Sequence, residues 1–191
     1  METDSSRSEL VYPRNIPADA RTSVPQPRQF GMDDYEELQL RTPDGVSLHG
    51  YFIRAPRKRL DQNLTVMMFH GNAGNIGHRV PIAKILQEYL NCHVMMMEYR
   101  GYGLSTGVPD ENGLKIDAQT ALDHLRQRGE TANSKIVVYG QSLGGAVAIN
   151  LVAKNEEKGD IAGLILENTF LSVRKLIPRC ALNPIWRLRV Y

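Results

Sequence analysis

Apolar and polar residues alternate in two short segments that lie near the N-terminal end of the chain. They are "YEELQLRT" at 35–42 and "VSLHGYFIR" at 46–54, and the turn-forming "PDG" at 43–45 separates them. A period of two is typical of strands that bury one face, and a short polar turn brings two such strands side by side. The pattern therefore predicts an antiparallel β-hairpin.

Beyond the hairpin, continuous apolar runs alternate with segments of helical spacing. Such runs are typical of parallel strands buried on both faces, whereas apolar positions three and four residues apart indicate amphipathic helices. The predicted strands are 64–69, 93–99, 135–140 and 161–168, and the predicted helices are 77–90, 110–129 and 143–154. This order predicts an α/β fold, with a mostly parallel sheet and helices on both of its faces.

Composition narrows the class of protein. Residues 1–34 are polar and hold four prolines, so we expect an extended N-terminal arm there rather than a separate domain. The chain has 191 residues, which suits one domain, and its net charge of +2 gives no indication of a nucleic-acid partner. The two cysteines, Cys92 and Cys180, do not form a disulfide framework.

Targeting and cofactor signals are also absent from the sequence. No apolar run approaches the roughly 18 residues needed to cross a bilayer, and the N-terminus lacks the pattern of a secretory signal. The glycine-rich stretch that begins at Gly140 lacks the lysine of a phosphate-binding loop. As written, we expect a soluble protein with neither cofactor nor metal site.

The pentapeptide "GQSLG" at 140–144 follows a predicted buried strand and opens a predicted helix of small residues. A nucleophile elbow requires this placement, because the sharp strand-to-helix turn projects a serine hydroxyl above the sheet. Ser142 is the candidate nucleophile, and Gly140 and Gly144 leave room for the tight turn. The alternative is an ordinary glycine-rich turn in which Ser142 only caps the helix.

The segment "HGNAGN" at 70–75 follows the first predicted buried strand. Hydrolases of this kind place an oxyanion-hole donor in such a loop, and the second donor is the residue after the nucleophile. The candidate donors are the backbone N–H groups of Asn72, Ala73 and Leu143, each worth on the order of 3 kcal/mol of barrier. His70 and Gly71 are expected to support the loop, and for His70 a structural role is favoured over that of catalytic base.

Four motifs in this order carry a family resemblance: "HGNAGNIGHR", "EYRGYGLSTGVPDENGL", "VVYGQSLGGAVA" and "ENTFLSV". The chain resembles the alpha/beta-hydrolase superfamily, and within it the bud-emergence branch of abhydrolase-domain-containing protein 13. The resemblance runs from about residue 10 to residue 178. It implies an eight-stranded sheet, Ser142 as nucleophile, and hydrolysis of an ester, thioester or amide in a small-molecule or acylated-protein substrate. It also implies membrane association, since longer members carry an N-terminal transmembrane helix, although this sequence shows no anchor.

The chain departs from the family after Ser142. The triad of this fold follows the order serine, acid, histidine, yet all five histidines precede Ser142 and no later acid lies at the family's acid position. We therefore expect residues 35–178 to form a partial alpha/beta-hydrolase domain that lacks the last two strands. Residues 179–191 do not resemble the family's continuation and form an atypical tail.

Two functions therefore stay open at this point. One is a serine hydrolase that acts on an acyl ester or thioester. The other is a catalytically inactive fragment or binding module, because a serine hydroxyl is a poor nucleophile without a neighbouring base. A substitute dyad of His70 and Glu167 is an unfavoured third arrangement.

Overall fold

A computed structural model describes residues 11–56 and 63–169 of the chain. Within them, six strands form one mixed sheet in the order β1-β2-β4-β3-β5-β6. The strands are β1 (Tyr35–Arg41), β2 (Ser47–Ile53), β3 (Leu64–Phe69), β4 (His93–Met97), β5 (Lys135–Gln141) and β6 (Ile161–Glu167). The helices are α1 (Val80–Leu90), α2 (Glu111–Gln127) and α3 (Leu143–Asn155), with short 3₁₀ turns at Pro27–Phe30, Ile76–Arg79 and Glu156–Lys158.

The sheet has the predicted arrangement of antiparallel and parallel strands. β1 and β2 form an antiparallel hairpin, in which Tyr35 lies opposite Ile53 and Arg41 opposite Ser47. β2 is also antiparallel to β4, whereas β4, β3, β5 and β6 run parallel to one another. The prediction of an alpha/beta-hydrolase sheet with an N-terminal hairpin is confirmed, and six strands are the number expected without the last two. The predicted 179–191 tail lies outside the described residues.

Alternate side chains of the buried strands enter two apolar clusters, one on each face of the sheet. Met67 and Met95 point to the cluster that α2 and α3 cover. Met68 and Met96 point to the other cluster, which is covered by α1 and by residues of the arm. Because both faces are covered, the central strands read as continuous apolar runs in the sequence.

The N-terminal arm packs on this framework. Met32 of the arm is buried in the α1 cluster, and Pro25 lies so close to Gly77 that a Cβ on this glycine would come within 2.4 Å of it. The described part of the arm, from residue 11 onwards, is therefore docked on the domain.

A buried ion pair joins the end of β4 to α2 and to the hairpin turn. Arg100 donates to Asp117 Oδ1 through Nε (3.0 Å) and Nη2 (2.9 Å), and its backbone N–H donates to Asp117 Oδ2 (2.8 Å). On its other side the guanidinium donates to both oxygens of Asp44. A Cβ on Gly113 would lie 2.4 Å from Arg100 Cδ. Because glycine has no Cβ, α2 can approach the Arg100 side chain closely. One guanidinium thus fixes three segments.

The Asp44 side of this network predicts a dependence of stability on pH. The Arg100 guanidinium, together with the Thr42 hydroxyl, lowers the pKa of Asp44 from its ordinary 3.8 to about 2. The stability from this contact is therefore fully present above about pH 4 and is lost as the pH falls through 2. We expect the native chain to be more stable than Asp44→Asn at pH 6, and the difference to shrink between pH 4 and 2. Urea unfolding of both proteins across this range measures it, and a difference that is constant with pH would contradict the assignment.

β6 lies at the edge of the sheet and pairs with β5. Three consecutive apolar residues of this strand are exposed: Leu164 by 37%, Ile165 by 40% and Leu166 by 41%. In the described part of the chain no strand pairs with its outer side. A search of the same residues for a membrane-spanning helix finds none of sufficient length and hydropathy.

Candidate active site

The carboxyl ends of the parallel strands β3, β4 and β5 carry the loops that form the candidate site. Ser142 occupies the turn between β5 and α3, with φ of 52° and ψ of −114°. A residue other than glycine rarely adopts a positive φ. Holding such a residue in this conformation costs roughly 1–3 kcal/mol of folding free energy. This strained strand-to-helix turn is the backbone geometry that a nucleophile elbow requires.

Contacts with the end of β6 hold the strained turn in place. The backbone N–H of Ser142 donates to Glu167 O at 3.0 Å. The Ser142 carbonyl accepts from the backbone N–H of Gly145 at 2.9 Å and from Thr169 Oγ1 at 3.1 Å. The Ser142 side chain itself is half-buried at the surface of the site.

Glycine is required on both sides of the serine because of close backbone approach. A Cβ on Gly144 would lie 2.2 Å from Phe69 O, and one on Gly140 would lie 2.4 Å from Gly144 O. Sequence analysis did not single out Gly145, where a Cβ would come within 2.1 Å of Thr169 Oγ1. Its signal was the doubled glycine of "GQSLGG", which extends the motif by one residue.

The structure brings the 70–75 loop next to the elbow. A Cβ on Gly71 would be 3.7 Å from Ser142 Cβ, so the two backbones are nearly in contact. Asn72 is fixed from two sides, since Tyr102 Oη donates to its Oδ1 (2.7 Å) and its Nδ2 donates to Val11 O (2.7 Å).

The three candidate oxyanion donors surround this junction. Leu143 is the first residue of α3, so its backbone N–H has no acceptor within the helix. Within residues 11–56 and 63–169, the backbone N–H groups of Asn72 and Ala73 have no acceptor either. These three amides are therefore unpaired in this part of the chain, as the oxyanion-hole prediction requires.

His70 is buried beneath the loop and turned toward β4. Its Nδ1 is 2.7 Å from Gly71 O, and its Nε2 is 3.1 Å from Glu98 Oε2. The second contact is within ion-pair distance but too poorly aligned for a regular hydrogen bond, and neither atom has another hydrogen-bonding partner in the described residues. The ring also packs against Tyr99, with centroids 4.4 Å apart. Nδ1 is thus engaged with the loop, whereas Nε2 lies beside Glu98 without a hydrogen bond to it.

Glu98 is a second residue of this site that was not recognised from the sequence. It is completely buried, and its Oε1 accepts from the backbone N–H of Ile76 at 2.8 Å while its Oε2 faces His70. One carboxylate therefore holds both ends of the 70–75 loop. Gly103 leaves room for this carboxylate, because a Cβ on that glycine would lie 2.2 Å from Glu98 Oε1. The available signal was an acidic residue directly after a buried apolar run.

The remaining histidines lie with other partners. His49 Nε2 is 2.7 Å from Glu37, His78 Nδ1 is 3.3 Å from the Asn75 backbone nitrogen, and His93 Nδ1 is 3.1 Å from that of Ala55. Burial lowers the pKa of His124, which lies on α2. Among the contacts of the described residues, no histidine reaches Ser142.

Glu167, the acid of the considered substitute dyad, is engaged as well. It accepts from the hydroxyl of Tyr139 and from Gln141 Nε2, and these two donors lower its pKa. The structure therefore does not bring His70 and Glu167 together. The described residues also contain no group of three or more His, Cys, Asp or Glu side chains that could hold a metal ion.

The N-terminal arm crosses the loops that form the site. Arg21 donates to the carbonyl oxygens of Gly101, Gly103 (3.0 Å) and Ser105 (3.4 Å). Asn75 Nδ2 donates to two arm carbonyls, those of Ala20 (2.9 Å) and Ser23 (2.8 Å). The arm thus ties together the loops that follow β3 and β4.

Comparison with known families and proteins agrees with this geometry. The family described as "Serine aminopeptidase, S33" (Hydrolase_4) matches residues 61–189. Protein bem46 of Schizosaccharomyces pombe is 51% identical over 88% of this chain and 55% of its own length. The Arabidopsis thaliana alpha/beta hydrolase domain-containing protein WAV2 is 42% identical over 87% of this chain and 53% of its own length. "Uncharacterized membrane protein YNL320W" of Saccharomyces cerevisiae is 41% identical over 90% of this chain and 58% of its own length. The chain therefore spans little more than half the length of these relatives.

Solved structures share the fold. An alpha-beta hydrolase from Vibrio vulnificus superposes with a TM-score of 0.74 at 24% identity, over 92% of this chain and 62% of that one. The Pyrococcus furiosus esterase Pf2001 superposes with a TM-score of 0.62 at 22% identity, over 78% of this chain and 54% of the esterase chain. This likeness shows the fold, and the family match assigns the family. The chain belongs to the alpha/beta-hydrolase superfamily and to the family described as "Serine aminopeptidase, S33", and it is similar to proteins of the bud-emergence branch.

Proposed function

We propose that this chain carries the nucleophile and the oxyanion hole of a serine hydrolase that cleaves acyl esters or thioesters. The single observation that supports the proposal most is the positive φ of Ser142 at a strand-to-helix turn, with the Gly71 backbone beside it. A turn that only caps a helix has no need of this strain, because cap serines ordinarily have extended backbone angles.

The proposed reaction follows from the placement of the groups. Ser142 Oγ attacks the acyl carbonyl carbon, and the carbonyl π electrons move to its oxygen. That oxyanion accepts from the backbone N–H of Leu143 and from that of Asn72 or Ala73. Collapse expels the alcohol or thiol, which takes up a proton, and water then releases the acid from Ser142. The Oγ proton must pass to a base, a role that the proposal gives to none of the described residues.

A second candidate is a catalytically silent module that binds an acyl group without turning it over. It is favoured by the engagement of the histidines of the described chain away from Ser142. Without a base, an oxyanion hole and substrate binding alone give a rate enhancement of roughly 10³–10⁴ over the reaction in water. This is several orders of magnitude below the enhancement by an intact triad.

A covalent probe separates the two candidates. We expect a fluorophosphonate probe to label the full chain, and expect Ser142→Ala to abolish both this labelling and turnover of p-nitrophenyl butyrate. Ser23→Ala is the matched control, since Ser23 is exposed and uses only its backbone carbonyl in the arm contact. Equal labelling of the native chain and Ser142→Ala contradicts the hydrolase, whereas absence of both labelling and turnover in the native chain supports the silent module.

The substrate class and location belong to the same proposal. An acylated protein or a small acyl ester fits a half-exposed nucleophile at the surface of the sheet. Membrane association is supported by the name of the Saccharomyces cerevisiae relative, a membrane protein 41% identical to this chain. Such a location would present lipid-linked acyl groups to Ser142.

A further inference from the structure

Arg79 lies at the rim of the candidate oxyanion hole. It ends the 3₁₀ turn that follows the 70–75 loop and directly precedes α1. A Cβ on Gly71 would be 3.8 Å from Arg79 Nη2 and 3.7 Å from Ser142 Cβ. The guanidinium and the nucleophile therefore lie on the same side of Gly71, around the point where its missing side chain would be.

The guanidinium of Arg79 has few partners for its charge. Its Nη2 donates to Ala73 O at 3.5 Å, the long limit of a hydrogen bond, and its buried Nε has no partner in the described residues. Nor does any ion pair of these residues include Arg79. A buried donor without a partner is unfavourable, because it has lost its hydrogen bond to water.

Four other arginines of the described residues are neutralised by carboxylates. Arg54, Arg100, Arg126 and Arg128 each form at least one ion pair with an aspartate or glutamate. The Glu167 carboxylate accepts from Tyr139 and Gln141, and these two bonds, with a further contribution from the Arg79 charge, lower its pKa. Arg79 and Glu167 nevertheless form no ion pair among the described residues. The Arg79 guanidinium thus lies next to Gly71 without a carboxylate of the described residues within ion-pair distance.

We propose that Arg79 forms an anion-binding subsite beside Ser142, which takes a carboxylate or phosphate group of the acyl substrate. The proposal rests on the proposed function only for the position of the acyl carbonyl at Ser142. A guanidinium presents planar donors that match carboxylate and phosphate oxygens in pairs. In this position it selects an acyl compound with a negative charge close to the scissile bond.

Binding to the Ser142→Ala chain tests the subsite without requiring turnover. The first pair of probes is N-(4-nitrophenyl)adipamic acid and N-(4-nitrophenyl)hexanamide, which differ in a terminal carboxylate against a methyl group. The second pair is lysophosphatidic acid and monoacylglycerol of one chain length, both below their micelle concentrations. The first pair places the negative charge on the acyl side of the scissile bond, and the second pair places it on the leaving-group side. Titration calorimetry gives each dissociation constant.

We expect the anionic member of one pair to bind about tenfold more tightly than its neutral partner. Arg79→Gln should remove this preference and leave the neutral ligand unaffected, and Arg79→Lys should keep part of it. Arg41→Gln is the matched control, because Arg41 is exposed at the end of β1. High salt should also weaken the preference in the parent, a readout that does not depend on the variant folding.

Three outcomes overturn the subsite. They are equal binding of both members in both pairs, absence of binding by all four probes, or a preference that survives in Arg79→Gln. The last outcome would assign Arg79 only to the support of the Ala73 carbonyl. Failure of the fluorophosphonate labelling would instead remove the proposed hydrolase and leave this charge preference measurable.

Discussion

Replacing Gly144 by alanine is expected to lower the free energy of unfolding by about 3 kcal/mol and to abolish labelling of Ser142. The new methyl group would lie 2.2 Å from Phe69 O and 2.7 Å from His70 O, both main-chain atoms at the end of β3. Neither can rotate away, so α3 must move off the sheet. A loss of this size lowers the melting temperature of a chain of this length by about 6–12 °C.

Gly129→Ala is the matched control for this substitution. A Cβ at Gly129 meets nothing within 4 Å, so we expect a change within about 0.5 kcal/mol. Thermal and urea unfolding of the native chain and both variants make the comparison. If Gly144→Ala unfolded at the same temperature as Gly129→Ala, the close approach of α3 to β3 would be wrong.

Replacing Arg100 by methionine is expected to destabilise the chain by about 3–5 kcal/mol. The substitution removes the partner of Asp117, whose side chain is 1% exposed, and leaves a carboxylate buried without a counter-charge. Burial raises the pKa of Asp117, whereas the side-chain bonds, the backbone N–H and the charge of Arg100 lower it. In the variant only the backbone N–H is left to oppose the effect of burial. Asp117 should therefore take up a proton when the variant folds at neutral pH.

Two further variants give this prediction its control. Asp44→Asn removes the exposed partner of Arg100 and should cost far less, because exposed pairs contribute little. Arg100→Met combined with Asp117→Leu removes both buried charges, and we expect it to recover much of the lost stability. Urea unfolding of the series measures each step. An Arg100→Met chain as stable as Asp44→Asn would contradict the buried pair.

The sheet could be predicted because its signals are local. The hairpin, the buried strands and the helices each follow from the periodicity of one short segment. Differences arise at the ends of elements, where distant contacts decide. β4 ends at Met97 rather than Tyr99 because the next residue, Glu98, turns its carboxylate under the 70–75 loop. α1 begins at Val80 because Asn75 accepts from the His78 backbone and starts a 3₁₀ turn first.

The candidate site could be predicted only in part, for the same reason. Ser142, Gly140 and Gly144 belong to one contiguous motif, and the structure places them in one turn. Thr169 holds the carbonyl of Ser142 from 27 positions away. Arg21 reaches the Gly103 carbonyl across 82 positions. No periodicity in the sequence relates residues so distant, and their pairing depends on the completed sheet.

The way the arm is held has a consequence for how its sequence can vary. The arm bonds to the 70–75 loop through main-chain oxygens, those of Val11, Ile16, Ala20 and Ser23. Every amino acid supplies such an oxygen, so substitutions at these four positions keep the acceptors. An inserted or deleted residue would instead shift all the oxygens beyond it. These bonds therefore restrict the length of the arm more than the identity of the four residues.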